Sequence, residues 1–173
     1  MLTKNFYNFM MAHLTNVQIE NGYVHIDGTV SAAKRVSSVS GYLWNKMNNF
    51  AIGSIPTSYA AAGVRIGTGV TPATADDYTL ESVITSGLTY VNPGSVAVTK
   101  ENGFVAVYAT YTVTNTDTTA VSISEIGLFC GPEAMASVKP ILMDRTVLEY
   151  PIVVNPGEAK PITYTIRFNY PTE

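Results

Sequence analysis

The most regular stretch of the chain is residues 161–169, where Ile162, Tyr164, Ile166 and Phe168 point one way and Thr163, Thr165, Arg167 and Asn169 the other. Strict alternation of apolar and polar positions is the period of a half-buried β-strand. Phe104–Thr114 repeats it, with Val105, Val107, Ala109, Tyr111 and Val113 on one face. Val121–Phe129 alternates through Val121 and Ile123, then resumes one position out of phase at Ile126 and Leu128. A phase slip inside a strand, followed by Gly127, is what a β-bulge leaves in a sequence. Ile141–Tyr150 and Ile152–Val154 read as two strands split by Pro151, and Val64–Gly69 as a short strand running into a Gly-rich turn.

The start of the chain has a different period. Leu2, Phe6, Met10 and Leu14 recur every four residues with Phe9 beside them, and Thr3 stands where a helix cap belongs. This predicts a short amphipathic helix whose stripe packs either on its own domain or on a neighbouring subunit. Asn21-Gly22, between two apolar-rich runs, predicts a hairpin turn, because both residues accept positive φ. Asn115–Thr119 reads as a polar turn. Asn155-Pro-Gly-Glu158 has Pro second and Gly third, the signature of a type II turn.

Several short strands separated by turn signals predict an all-β fold, an antiparallel two-sheet β-sandwich with a short N-terminal helix and a long irregular insertion. The expected organisation is a helical arm over residues 1–16 and one sandwich domain over 17–173. A contact-making excursion at 31–63 interrupts that domain; it is rich in small and polar residues and carries the one Trp.

Composition sharpens this picture. Of 173 residues, 70 are Thr, Val, Ile, Tyr, Phe or Trp, the types that suit a pleated surface. Only 13% are charged, against about a quarter in an ordinary soluble domain, so the skin suits contact with other protein. The net charge of −3 gives no basic footprint for nucleic acid. Its distribution is uneven. Residues 1–65 carry five Lys/Arg against Glu20 and Asp27, whereas 66–173 carry five against eleven Asp/Glu; a basic front on an acidic body favours head-to-tail contact between copies. No run of 18 or more apolar residues is present to span a membrane. The first fourteen residues read as mature sequence, since Asn5, Asn8 and His13 interrupt their apolar positions.

Candidate chemistry is sparse. His13 and His25 have no partner at metal-ligand spacing, and Cys130 is the one cysteine, expected as a buried thiol. Asp76, Asp77 and Glu81 lack the alternating spacing of a calcium loop and read as turn and capping carboxylates. Gly67-Thr-Gly69 lacks the third glycine of a dinucleotide fingerprint and reads as a tight bend. There is no Gly-x-Ser-x-Gly elbow. No catalytic, cofactor or metal residues are assigned, and the expectation is a non-enzyme. Glu125, flanked by Ile123, Ile126 and Leu128 at the phase slip, is a candidate buried carboxylate needing a partner. Arg145 is that partner if the two strands are neighbours, making a structural ion pair.

The order of motifs from Arg65 to Tyr170 resembles small virion proteins of tailed bacteriophages and prophages. The resemblance is carried by Ile66-Gly-Thr-Gly-Val-Thr-Pro-Ala-Thr-Ala-Asp-Asp-Tyr-Thr-Leu-Glu-Ser82 and by Ile123-Ser-Glu-Ile-Gly-Leu-Phe129. Leu142-Met-Asp-Arg-Thr-Val-Leu148, Val154-Asn-Pro-Gly-Glu158, Ile162-Thr-Tyr-Thr-Ile-Arg-Phe168 and the opening Met1-Leu-Thr-Lys-Asn-Phe-Tyr7 complete it. It implies a non-enzymatic β-sandwich built in many copies into the virion, as capsid decoration or head fibre or as a neck or tail component, assembled in the bacterial host cytoplasm. The implied partners are copies of itself and other virion proteins, with no nucleic acid and no membrane. Leu2, Phe6, Met10 and Leu14, together with Tyr42, Trp44 and Phe50 in the excursion, are the expected subunit contacts. The alternative is a carbohydrate- or receptor-binding module using Tyr42, Trp44 and Tyr59 on a host-surface glycan.

Overall fold

The computed structural model describes residues 1–15, 17–33, 63–92, 96–130 and 139–171. They form one helix, α1 (Lys4–Thr15), and nine strands. In chain order these are β1 (Ile19–Val24), β2 (Val30–Ala33), β3 (Gly63–Gly67), β4 (Leu88–Val91), β5 (Ala97–Glu101), β6 (Phe104–Asn115), β7 (Val121–Cys130), β8 (Ile141–Val154) and β9 (Ala159–Asn169). The fold is mostly β, and every strand pairing is antiparallel. β3, β7 and β8 make a three-stranded sheet in that order. β6 is the axis of a second sheet, with β9 along one side and β4 and β5 sharing the other.

The main core draws on both sheets. Val64, Ile66, Ile123, Ile126, Leu128 and Val154 of the first meet Ala109, Tyr111, Val113, Ile162 and Tyr164 of the second. The alternations in β6 and β9 are therefore the imprint of one buried and one open face. β7 differs: from Ile123 to Cys130 every residue is buried, because its second face is covered too. The expected slip falls at a break in the β7–β8 register, but the extra residues lie on β8 and not on β7. Ile123 pairs Ile152 and Glu125 pairs Val147, so Ser124 alone faces residues 148–151. β8 runs through Pro151 as one strand rather than two. Pro151 falls in that irregular stretch, where its missing N–H removes no ladder bond.

Helix α1 is present, but its buried stripe is rotated from the expected one. Phe6, Phe9 and Ala12 pack with Tyr23, Ala33, Cys130, Ile141 and Met143, while Met10 and Leu14 are exposed. Two polar residues set this phase. The Asn5 amide donates to the carbonyls of Val24 (2.8 Å) and Leu142 (3.2 Å) and accepts from Val24 N–H (2.8 Å). Asn8 donates to Gly22 O (2.7 Å). Residues 1–3 precede the helix as an added edge strand on β8, with Thr3 N–H bonded to Met143 O and Arg145 N–H to Met1 O, both at 3.0 Å. The Thr3 hydroxyl donates to Leu142 O (2.6 Å), so it joins helix to sheet instead of capping.

The hairpin lies elsewhere than expected. Asn21-Gly22 sits inside β1, where Asn21 takes a left-handed φ of 52° and the register with β2 slips. A Cβ on Gly22 would stand 2.5 Å from Ala33 Cβ, so this glycine serves close approach of the two strands. The chain reverses at Asp27-Gly28, where Gly28 N–H bonds His25 O and Asp27 Oδ1 accepts from both Thr29 N–H and Thr29 Oγ1. The turn after β8 is as read: Glu158 N–H reaches Asn155 O (2.9 Å), with φ 72° at Gly157. Of the excursion at 31–63, the first three residues complete β2 and Gly63 opens β3; residues 34–62 lie outside the described ones.

Candidate functional site

The three-stranded sheet carries, on the face away from the main core, a group of charged side chains under the loop at residues 68–84. Glu125 is fully buried and lies just past the break in the β7–β8 register. Arg145 stands opposite Gly127 on β8, so the diagonal between them places Arg145 beside Glu125. Arg145 Nε donates to Glu125 Oε2 at 2.9 Å. Its Nη1 donates to Asp77 Oδ2 at 2.8 Å, and its Nη2 reaches Glu81 Oε2 at 3.5 Å. The structure thus brings together Glu125 and Arg145, and adds two loop carboxylates that the sequence reading left as turn residues.

The carboxylates are held by backbone as well. Glu125 accepts from the N–H groups of Gly69 (3.1 Å), Glu81 (3.1 Å) and Ser82 (2.7 Å). Glu81 accepts from Val70 (2.9 Å) and Thr71 (2.8 Å) and from the Thr71 hydroxyl. Asp77 accepts from Thr74 N–H and Oγ1, both at 2.9 Å. The loop N–H groups that would otherwise need β-partners are satisfied by these side chains.

The glycines of this region make the approach possible. A Cβ on Gly67 would lie 2.5 Å from Glu125 Oε1, and one on Gly69 would lie 2.5 Å from Glu81 Cβ. On Gly127 it would meet Leu80 Cδ2 at 2.8 Å. Gly67-Thr-Gly69 is therefore a bend shaped to a carboxylate of its own chain.

The electrostatics follow the contacts. Burial pushes the Asp77 carboxyl up, but hydrogen bonds from Arg145 and Thr74 outweigh it and hold Asp77 below its ordinary value. Glu81 is lowered chiefly by the Thr71 backbone N–H and hydroxyl. Burial pushes Arg145 down, and its bonds to Asp77 and Glu125 overcome this and raise it. Asp77 and Glu81 are thus kept ionised near neutrality, the opposite of what a general acid needs. An open depression of about 280 Å³ lies alongside, with Asp76, Tyr78 and Leu80 in its wall. Asp76 itself pairs with Lys4 at the surface. No group of three His, Cys, Asp or Glu side chains among the described residues could hold a metal ion. What this arrangement does is clasp the loop to the sheet.

A second polar contact lies on the opposite face of β8. Asp144 receives the Met1 ammonium (2.9 Å) and the Tyr164 hydroxyl (2.7 Å). Burial, then the Asp144 charge, holds the Tyr164 hydroxyl well above its ordinary value. This ties residues 1–3 and both sheets together. His25 is buried between Lys139 O and Ser31 Oγ, each 2.7 Å from a ring nitrogen. Cys130 is a buried thiol under α1.

Of the expected subunit contacts, Phe6 is buried and Leu2 partly buried within the chain's own fold, and Met10 and Leu14 face outward. Leu2 and Phe6 thus pack within the chain's own fold, and Met10 and Leu14 are the members of that stripe left on the surface. Tyr42, Trp44, Phe50 and Tyr59 lie outside the described residues. No helix of the described residues is long and apolar enough to cross a membrane. No family model matches the chain, and neither a curated protein nor a solved structure does.

Proposed function

We propose that this chain is a non-enzymatic virion structural protein of a tailed bacteriophage, a two-sheet β-sandwich assembled in multiple copies on the particle as capsid decoration, head fibre or neck or tail component. The observation that carries the reading is the use made of the resemblance-bearing residues. Gly67, Gly69, Asp77, Glu81, Glu125, Gly127 and Arg145 come from three separate motifs, and they meet in one clasp whose charges are spent on holding a loop. Motifs that serve architecture suit a protein whose task is to be a building block.

The surface supports the same reading. The outer side of α1 and its exit expose Tyr7, Met10, Met11, Leu14 and Val17, and the edge of the second sheet exposes Val91, Val96 and Val98. These exposed apolar side chains are available for contact with other protein. The test is mass spectrometry with immunogold labelling on particles purified from a lysate of the source strain. The chain is expected in many copies per particle, at a fixed ratio to the major shell or tail proteins. Particles that lack it while the lysate contains it would overturn the reading.

A further inference from the structure

The three-stranded and four-stranded sheets treat their edges differently. In the three-stranded sheet, residues 82–84 cover β3, with Ile84 N–H on Ile66 O and Thr68 N–H on Ser82 O, and residues 1–3 cover part of β8. β9 has no such cover: among the described residues it pairs with β6 and with no other strand. Tyr170 N–H bonds Gly103 O at one end of the β6–β9 ladder, and Asn115 N–H bonds Glu158 O at the other. Between them the register runs from Phe104↔Asn169 to Thr114↔Ala159 without a slip. Antiparallel alternation then aims the backbone of residues 160, 162, 164, 166 and 168 at β6. Thr163, Thr165, Arg167 and Asn169 present their N–H and C=O groups outward, and Pro161 its C=O.

This edge lacks most of the devices that keep edges apart. It has no bulge, and its proline is at one end. Lys160 is occupied by Glu158 and Val153 O. Arg167 lies flat, 3.7 Å over the Phe104 ring, and donates to Asn169 Oδ1.

We infer that β9 is a self-pairing edge, on which β9 of a second copy of this chain adds antiparallel about a two-fold axis at Thr165. The choice of partner rests on the multi-copy reading above; the register rests on the residues. Centred at Thr165, the pairs are Thr165 with Thr165, Thr163 with Arg167, and Pro161 with Asn169, the second residue of each being the partner's. Each of the three central pairs exchanges two hydrogen bonds. Each end pair makes one, because Pro161 has no N–H to give. Centring at Arg167 would set two guanidinium groups against each other, and centring at Thr163 would keep an overlap of the same length but bring Pro161, which has no N–H, in beside the axis. The pairing also sets the 43%-exposed Phe168 across from Ile162 of the other copy, on the apolar side of the sheet. An isologous contact of this kind closes as a dimer.

The experiment is light scattering and oxidative cross-linking on the full chain. The wild type is expected to be a dimer. Thr165→Cys is expected to cross-link into a reducible dimer, since residues in a hydrogen-bonded pair have Cα atoms about 5.5 Å apart, within disulfide range. Thr163→Cys, facing Arg167 of the other copy, is expected to give no cross-link. Thr165→Lys and Thr165→Pro are expected to halve the mass while leaving the chain folded by circular dichroism, since the Thr165 N–H takes no part in the β6 ladder. A monomeric wild type, a dimer that survives Thr165→Lys, or equal cross-linking at both cysteines would overturn the pairing. A monomer found in purified particles would overturn it and leave the virion reading standing; a dimer absent from particles would do the reverse.

Discussion

The loop at residues 68–84 and the N-terminal segment close opposite edges of the same three-stranded sheet, and they do it with different chemistry. The loop is held by Arg145 and three carboxylates, two of the four groups being almost completely buried. The N-terminal segment is held chiefly by apolar side chains of α1, two asparagine amides and a strip of backbone pairing, with two ion pairs at its more exposed start, Met1 on Asp144 and Lys4 on Asp76. A closure made of buried charge is collective, because each member is tolerable only while its partners are present. A closure made mostly of apolar contacts and neutral hydrogen bonds, with its ion pairs at the surface, is closer to the sum of separable parts. The loop should therefore fail all at once, and the helix piece by piece.

The strongest way to break the loop is Arg145→Met. It strands Glu125 in a dry site, and breaking a buried pair costs about 3–5 kcal/mol. Chemical denaturation should show that loss, with hydrogen exchange rising first in residues 68–84. Adding Glu125→Leu should restore little, because the N–H groups of Gly69, Glu81 and Ser82 would then be orphaned. Gly69→Ala acts on the same closure through space rather than charge. With its Cβ 2.6 Å from Glu125 Oε1, it should destabilise by about 1–3 kcal/mol as an overpacked site; a neutral result would show that the loop can shift away.

At the helix, Asn5→Ala leaves the Val24 N–H without its acceptor and should cost about 1–3 kcal/mol, with exchange rising in α1 and not in the loop. Leu14→Gln, on the outer side of the same helix, should change stability by no more than about 0.5 kcal/mol.

The smallest and most selective probe is pH. Asp77 and Glu81 both sit below their ordinary values in the folded chain. A carboxyl depressed by folding contributes stability above its unfolded pKa, about 4, and that contribution is lost as pH falls through the folded value. The urea midpoint should therefore drop as the solution is taken below about pH 4. Asp77→Asn should flatten that drop, whereas Asn5→Ala should lower the whole curve and keep its slope.

How much of this was legible depended on how local the cause was. The alternation of Ile162, Tyr164, Ile166 and Phe168 reported a half-buried strand because each residue's face is fixed by its own backbone. The slip between Ile123 and Ile126 reported a break in the strand pairing for the same reason, though not that its extra residues belong to β8, and the pairing of Glu125 with Arg145 followed from a buried acid needing a cation. The phase of α1 was not legible, because Asn5 is turned inward by Val24 and Leu142, groups distant in sequence. Asn21-Gly22 and Asp27-Gly28 both permit a turn. What placed the reversal at the second was the contact of Gly22 with Ala33, a property of the paired strands. Asp77 and Glu81 read as turn carboxylates because nothing near them in sequence shows that Arg145 arrives from another strand. The spacing of Gly67, Gly69 and Gly127 was the available sign that something large passes close to the backbone there.

The clasp also has a schedule. Its loop is made early in the chain, but the acid it folds around comes 43–56 residues later and the guanidinium 64–68 residues later. On a ribosome adding about 5–20 residues each second, the loop emerges and waits several seconds with its carboxylates hydrated and its amides bonded to water. Only when β8 follows β7 out of the exit tunnel does a surface exist for it to close on. The clasp over β3 therefore stays unformed for the whole of that interval, and it closes only once β8, the last strand of this sheet, is in place.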